Sequence, residues 1–128
     1  MTQTPIRADG DTPMLFAFTG EYSTEQLNAI FTNPDANRGQ RMAQALEAGG
    51  CKLVQYYGRI TNGPGALVIF EAPDEVTAGA ICTVVVSHGL FSQRNPKIER
   101  LLSLEDIGKL RTTAARVIAE AYPPRPAC

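Results

Sequence analysis

The sequence predicts a ferredoxin-like α+β domain with a βαββαβ order, a four-stranded antiparallel sheet and an extra C-terminal helix. Segments rich in β-branched and aromatic residues alternate with segments of helical period, in the order strand, helix, strand, strand, helix, strand, helix. This order is the split βαβ arrangement of that fold class. With 128 residues, of which 44% are hydrophobic, the chain has enough apolar material for one compact core.

The first strand and a two-part crossover are predicted at the start of the domain. "PMLFAFTG" (13–20) is apolar over the length of a strand, and Ser23 and Gln26 have the spacing of a capping box. An Asn-Pro pair at 33–34 interrupts the helical pattern before "QRMAQALEA" (40–48) resumes it. We therefore expect two short helices before the second strand.

A hairpin follows this crossover. "CKLVQYYGRI" (51–60) and "ALVIFEA" (66–72) are both rich in β-forming residues. They are joined by "TNGPG" (61–65), whose Asn-Gly and Pro-Gly pairs are strong turn signals. We expect the second and third strands to be neighbours in the sheet.

A second crossover helix, a fourth strand and a last helix complete the domain. Pro73 and the two carboxylates after it suit the first turn of a helix, which we expect to run to Gly89. "PKIERLLS" (96–103) is the fourth strand, and Ser103 and Asp106 are placed to cap the last helix. That helix carries apolar residues at helical spacing: Ile107, Leu110, Ala114, Val117, Ile118 and Ala121.

The domain is predicted to occupy residues 13–121, between a polar leader (1–12) that we expect to be flexible and a proline-rich tail (122–128). The leader lacks the apolar centre of a signal peptide, and no apolar run reaches the roughly 18 residues that span a bilayer. We therefore expect a cytoplasmic protein that does not bind membranes.

Composition argues against several classes of partner and cofactor. The formal net charge is -1 and the basic residues are scattered, which disfavours a nucleic-acid partner. The three cysteines lack C-x-x-C spacing, and a single histidine cannot complete the usual ligand sets of zinc. We predict no disulfide framework, no metal and no cofactor.

The hairpin strands are apolar on both faces. Simple alternation assigns the second strand's residues to two faces, Leu53, Gln55, Tyr57 and Arg59 on one and Val54, Tyr56 and Ile60 on the other. An antiparallel sheet with helices on one side usually has a polar outer face. Because this one does not, we expect the second face to meet another copy in a homodimer or larger homo-oligomer.

Five stretches match a known pattern in their order and spacing: "FTGEYSTEQL", "NPDANRGQR", "ALEAGGCKLVQYYGRI", "ALVIFEAPDEVTAGAI" and "KIERLLSLEDIGKL". On them the chain resembles the GYD-domain family of small bacterial proteins, within the dimeric α/β-barrel superfamily. The Gly-Tyr-Asp signature itself is absent, since "TNGPGA" (61–66) stands in its place. The resemblance implies a fold and a dimer, and sibling families include cofactor-free monooxygenases, isomerases, polyketide cyclases and haem enzymes.

The single histidine is the first candidate for chemistry. His88 falls on one helical stripe with Ile81 and Val85, which predicts a ring directed towards the sheet at the helix end. An imidazole there suits a general acid or base, and the resemblance to polyketide cyclases implies a similar position over a pocket. The alternative is that His88 caps the helix or bonds within the core.

Tyr57 and Arg59 are the second candidates, as groups that steady a developing negative charge. Alternatively, Tyr57 packs and Arg59 pairs with Glu71 or Glu99.

We expect a ligand to contact five side chains that come from several elements: Phe16, Phe18, Tyr22, Arg38 and Glu71. Solvation or ion pairing is the alternative for Arg38, Arg41 and Glu71, and Tyr22 has the alternative of a staple with Leu27. Cys82 and Cys51 are read as buried apolar residues.

Together these residues predict a cofactor-independent enzyme of isomerase, lyase or cyclase type, acting on a small, partly apolar carbonyl or aromatic metabolite. His88 would move the proton. Two alternatives remain open: a small-molecule binding or structural assembly protein without turnover, and a haem-binding or monooxygenase-type barrel in which His88 is the axial ligand.

Overall fold

A computed structural model describes residues 13–124 and confirms the ferredoxin-like α+β fold with an extra C-terminal helix. The elements are β1 (Met14–Glu21), α1 (Thr24–Thr32), α2 (Arg38–Ala48), β2 (Lys52–Arg59), β3 (Gly65–Ala72), α3 (Glu75–Ser87), β4 (Lys97–Leu101) and α4 (Leu104–Ala121). The sheet order is β2-β3-β1-β4, and all neighbours are antiparallel. The predicted leader, 1–12, and the last four residues of the predicted tail lie outside the described residues.

Each helix begins at a side-chain cap. Ser23 and Gln26 form the predicted capping box of α1, and Ser103 caps α4 through the amide of Asp106. Asn37 and Asp74 cap α2 and α3 in the same way, because each side chain accepts a hydrogen bond from the amide three residues later. Thus α3 begins at Glu75, one residue after its cap, rather than at the proline.

The core lies between the sheet and the helices α2 and α3. Met42 and Leu46 of α2 are fully buried, and α3 contributes Ile81 and Val85. The sheet contributes Phe16 and Phe18, with exposed fractions of 3% and 1%, and the Phe16 ring stacks on Phe70 at 5.7 Å. Phe16 and Phe18, proposed from the sequence as ligand contacts, are therefore core residues.

A β-bulge in β2 changes which residues face the helices. Leu53 is opposite Phe70 of β3, but the next pair in register is Gln55 with Ile69, which leaves Val54 as the extra residue. Leu53 and Tyr56 therefore share the helix-covered face. The prediction that Leu53 lies on the same face as Tyr57 and Arg59 is wrong, because strict alternation ignores the inserted residue.

The opposite face of the sheet, here called the outer face, has an apolar centre and polar margins. Ala17 at its centre is buried, and Leu15, Leu67, Ile69 and Leu101 around it are partly buried. The margins carry polar and charged residues from all four strands: Thr19, Gln55, Arg59, Glu71, Lys97 and Glu99. Tyr57 lies on this face with half of its surface exposed.

The helix α4 differs from the other long helices because none of its residues is buried. Every residue from Gly108 to Pro124 is exposed, so the helix leaves the body of the domain within its first turn. Within residues 13–124, no helix combines the length and the apolar character required to cross a membrane.

Candidate functional site

Two tyrosines meet at the end of β1 on the helix side of the sheet. The hydroxyl of Tyr22 lies 2.7 Å from the hydroxyl of Tyr56, and the Tyr22 ring stacks on Phe91 at 5.5 Å. Burial, and then the hydrogen bond with Tyr22, raise the pKa of Tyr56 well above its ordinary value near 10, although the nearby Arg38 acts in the opposite direction. Tyr56 therefore stays protonated at neutral pH.

Arg38, the first residue of α2, joins this pair. Its guanidinium carbon lies 4.9 Å from the centre of the Tyr22 ring, a cation–π distance, and its Nη2 donates to the carbonyl of Leu90. Its Nε is buried and has no hydrogen-bond partner within residues 13–124. The structure thus brings together Tyr22 and Arg38, both proposed from the sequence, and adds Tyr56.

A cleft opens beside Tyr22 at the same end of the sheet. It has one part of about 420 Å³, lined by Glu21, Tyr22, Leu27, Asn62, Arg94 and Asn95 among others. A second part of about 570 Å³ lies on the outer face and is lined by Glu21, Arg59, Asn62, Asn95, Lys97 and Glu99 among others. Because the two parts share Glu21, Asn62 and Asn95, we treat them as one site and call it the sheet-end cleft.

The loops that form this cleft have left-handed backbone angles and hydrogen bonds to β1. Asn62 and Asn95 adopt left-handed backbone angles, with φ of 58° and 56°, and each borders both parts of the cleft. Gly65 approaches β1 so closely that a Cβ there would lie 1.9 Å from the carbonyl oxygen of Gly20. Backbone hydrogen bonds from Tyr22 to Pro64 and from Ser92 to Glu21 tie both loops to β1.

The cleft contains more basic than acidic side chains. Arg59 belongs to β2, Lys97 to β4 and Arg94 to the loop before β4, and the acidic groups are Glu21 and Glu99. The guanidinium of Arg59 donates to the carbonyl of Asn62 at 2.8 Å. This surface can accept a small molecule with anionic or carbonyl oxygens.

The His88 ring lies away from this cleft. His88 is the C-cap of α3 and is exposed, so the prediction that its ring faces the sheet is wrong. Its Nδ1 lies 3.0 Å from the hydroxyl of Ser87, and His88 lines none of the clefts described for this chain. An exposed ring between Ser87 and Gly89 does not fit axial ligation of haem, which requires a slot that shields the macrocycle.

The remaining predicted residues are separated by the sheet. Tyr57, Arg59 and Glu71 lie on the outer face, whereas Tyr22, Arg38 and Tyr56 lie on the helix side. The predicted grouping of Tyr57 with His88 therefore does not occur. Glu71 is directly opposite Lys52 in β2 and Leu15 in β1, far along the strand from the cleft.

The two described cysteines are buried, as the sequence predicts. Burial raises the pKa of the Cys82 thiol to about 12, with a smaller contribution from Cys51. The pKa of Cys51 is raised first by burial and then by the negative charge of Asp74. Both thiols are therefore poor nucleophiles at neutral pH.

Comparison of the chain with protein-family models, curated proteins and solved structures finds no match.

Within residues 13–124, no cluster of three or more histidine, cysteine, aspartate or glutamate side chains is placed to hold a metal ion.

Proposed function

We propose that the protein is a cytoplasmic homodimer that binds a small metabolite carrying carbonyl or carboxylate oxygens in the sheet-end cleft. The observation that carries the proposal is the convergence of three basic groups on the sheet-end cleft: Arg59 from β2, Lys97 from β4 and Arg94 from the loop before β4. These groups would hold the ligand's oxygens, and Glu21 would accept from its donor groups. The resemblance to the GYD-domain family supports the same assignment at the level of a dimeric barrel.

Dimerisation through the outer face is part of this proposal. An apolar centre with polar margins is the usual composition of a protein–protein interface. The larger part of the sheet-end cleft lies on that face, beside Leu67 and Thr19. A second copy packed against this face would enclose the ligand between two sheets and exclude water from its charged contacts.

Cofactor-independent isomerase, lyase or cyclase chemistry is the second candidate. The hydrogen bond between Ser87 and Nδ1 of His88 favours it, because that bond orients the ring and leaves Nε2 available for proton transfer. His88 also precedes Gly89 and Leu90, whose carbonyls accept from Gln26 and Arg38 beside the tyrosine pair. In this case His88 would move a proton on a substrate bound at the exposed end of α3, outside the sheet-end cleft.

Ligand-observed NMR with a library of small carboxylates and carbonyl compounds tests the binding proposal. We expect Arg94→Ala and Lys97→Ala each to weaken the best binder at least about tenfold, since each loses a charge-assisted hydrogen bond. Arg116→Ala removes an exposed charge from α4 and is the matched control, with affinity unchanged. Absence of any binder, or equal affinity in all three variants, contradicts the proposal.

The same samples separate binding from catalysis. Spectra of each binder are followed over hours with the unsubstituted protein and with His88→Ala. A binder that stays chemically unchanged supports the binding function. Conversion that is lost in His88→Ala identifies the enzyme, and binding that is lost with it would place His88 in the ligand site instead.

A further inference from the structure

The sheet-end cleft contains acids as well as bases, and the two kinds of group are held apart. On its outer-face part, the two bases Arg59 and Lys97 are balanced by the two acids Glu21 and Glu99. Within residues 13–124, none of these four side chains forms an ion pair. Opposite charges that border one cleft without pairing leave both kinds of group available to a ligand.

The register of the strands sets the spacing between one acid and one base. Gly65 of β3 is directly opposite Arg59 in β2 and Glu21 in β1. The α-carbons of Arg59 and Glu21 are therefore two strand spacings apart, about 10 Å. Gly65 has no side chain to fill the interval, and an added Cβ would clash with the carbonyl of Gly20. The end of the sheet thus presents bare backbone between a guanidinium and a carboxylate.

Residues of the neighbouring loops hold these two groups without using all of their hydrogen-bonding capacity. The guanidinium of Arg59 donates to the carbonyl of Asn62 at 2.8 Å, which uses one of its five N–H groups. The carboxylate of Glu21 lies against Gly63, where an added Cβ would be 2.8 Å from Oε1. Within residues 13–124, it accepts one long hydrogen bond, from Nδ2 of Asn95 at 3.5 Å. Both groups can therefore bind a ligand as well.

We propose that the ligand of the sheet-end cleft is an amino acid or a related amino carboxylate, with Glu21 binding its ammonium group and Arg59 its carboxylate. This inference rests on the proposed function and names the class of metabolite that the site binds. A ligand that carries only carboxylates would bring a like charge to Glu21, and a simple amine would do so at Arg59. A zwitterion complements both groups and keeps the charge balance of the outer-face part.

Four matched pairs of ligands test the assignment: glycine and acetate, β-alanine and propionate, γ-aminobutyrate and butyrate, and δ-aminovalerate and valerate. The members of a pair differ by one ammonium group, and the series varies its distance from the carboxylate. Titrations followed by ligand-observed NMR at neutral pH give the dissociation constants. In at least one pair we expect the amino carboxylate to bind about tenfold more tightly or better, as for one charge-assisted hydrogen bond.

Three variants identify the groups that bind each end of the ligand. Glu21→Gln removes the charge but keeps the side-chain length and an acceptor oxygen. It should abolish the preference for the amino carboxylate, whereas the matching carboxylate should bind at least as tightly as before, which also shows that the cleft is folded. Arg59→Gln should weaken both members of each pair about tenfold or more, since both carry the carboxylate. Glu120→Gln, exposed on α4, is the matched control and should change neither affinity.

Three results overturn the inference. They are equal affinity within every pair, absence of binding by every member of the four pairs, and a preference for the amino carboxylate that survives Glu21→Gln. The first leaves the proposed function intact, and so does the second if another carboxylate or carbonyl compound binds. Failure of the proposed function gives a different result: no compound of the library binds, or the best binder is unaffected by Arg94→Ala and Lys97→Ala.

Discussion

The hydroxyls of Tyr22 and Tyr56 are in hydrogen-bond contact at 2.7 Å, although β3 lies between β2, which carries Tyr56, and β1, which precedes Tyr22. Tyr22 follows the end of β1, and Tyr56 reaches the same side of the sheet because of the bulge at Val54. The bond therefore depends on the register of three strands, and it connects the core to the sheet-end cleft that Tyr22 lines.

Tyr22→Phe and Tyr56→Phe should each lower the free energy of unfolding by about 1 kcal/mol. Each substitution removes one hydroxyl of the pair and leaves the other, which is partly buried, without that hydrogen bond. The double variant should lose less than the sum of the two single losses, since the bond is shared. Urea denaturation measures all three. Tyr57→Phe, half exposed on the outer face, is the control and should cost less than about 0.5 kcal/mol. Strict additivity would show that the hydroxyls do not interact.

Stability should fall in alkaline solution. The folded pKa of Cys82 is raised from 9.0 to about 12, and that of Tyr56 is raised above 10.0. For groups whose pKa is raised on folding, the stabilising contribution is complete below the unfolded pKa and is lost as pH rises through the folded pKa. Thermal unfolding in reductant from pH 8 to pH 11 should therefore show a declining Tm. The double variant Cys82→Ala and Tyr56→Phe should decline less steeply, and an equal slope would contradict this assignment.

Gly65→Ala should destabilise the fold by about 3 kcal/mol or more, because the added carbon would meet the carbonyl oxygen of Gly20 across the β1–β3 pair. Gly79→Ala is the matched comparison, since its Cβ would meet open space within α3. That change should stabilise the fold by about 0.5–1 kcal/mol through helix propensity. Chemical denaturation gives both values, and a neutral Gly65→Ala would mean that β1 and β3 are further apart than described.

His88→Ala should change the free energy of unfolding by less than about 0.5 kcal/mol, because the ring is exposed and its side-chain contact is the neighbouring Ser87. If the protein turns over a substrate, the same variant should lower the rate about 100-fold or more, as expected for loss of a general acid or base. A large loss of stability would instead indicate a structural role for the ring.

Local signals determined the elements and their order. The capping residues Ser23 and Ser103, the turn at 61–65 and the Asn-Pro break act within a few residues of chain, so they can be recognised without the tertiary structure. They predicted all four strands and the divided first crossover. The sequence also singled out Tyr22 and Arg38 as ligand contacts, and the structure places these two side chains against each other.

The tertiary structure decided which face each side chain occupies. The bulge at Val54 arises from pairing with β3, and it moved Tyr56 rather than Tyr57 to the helix side. His88 is the C-cap of α3 and is exposed, although Ile81 and Val85 of the same helical stripe are buried. Asn62, Arg94 and Asn95 come together only when distant loops meet at the end of β1. Helix caps and turns are local interactions, whereas register and cleft formation depend on contacts between residues far apart in sequence, and a helical or alternating pattern carries no information about those contacts.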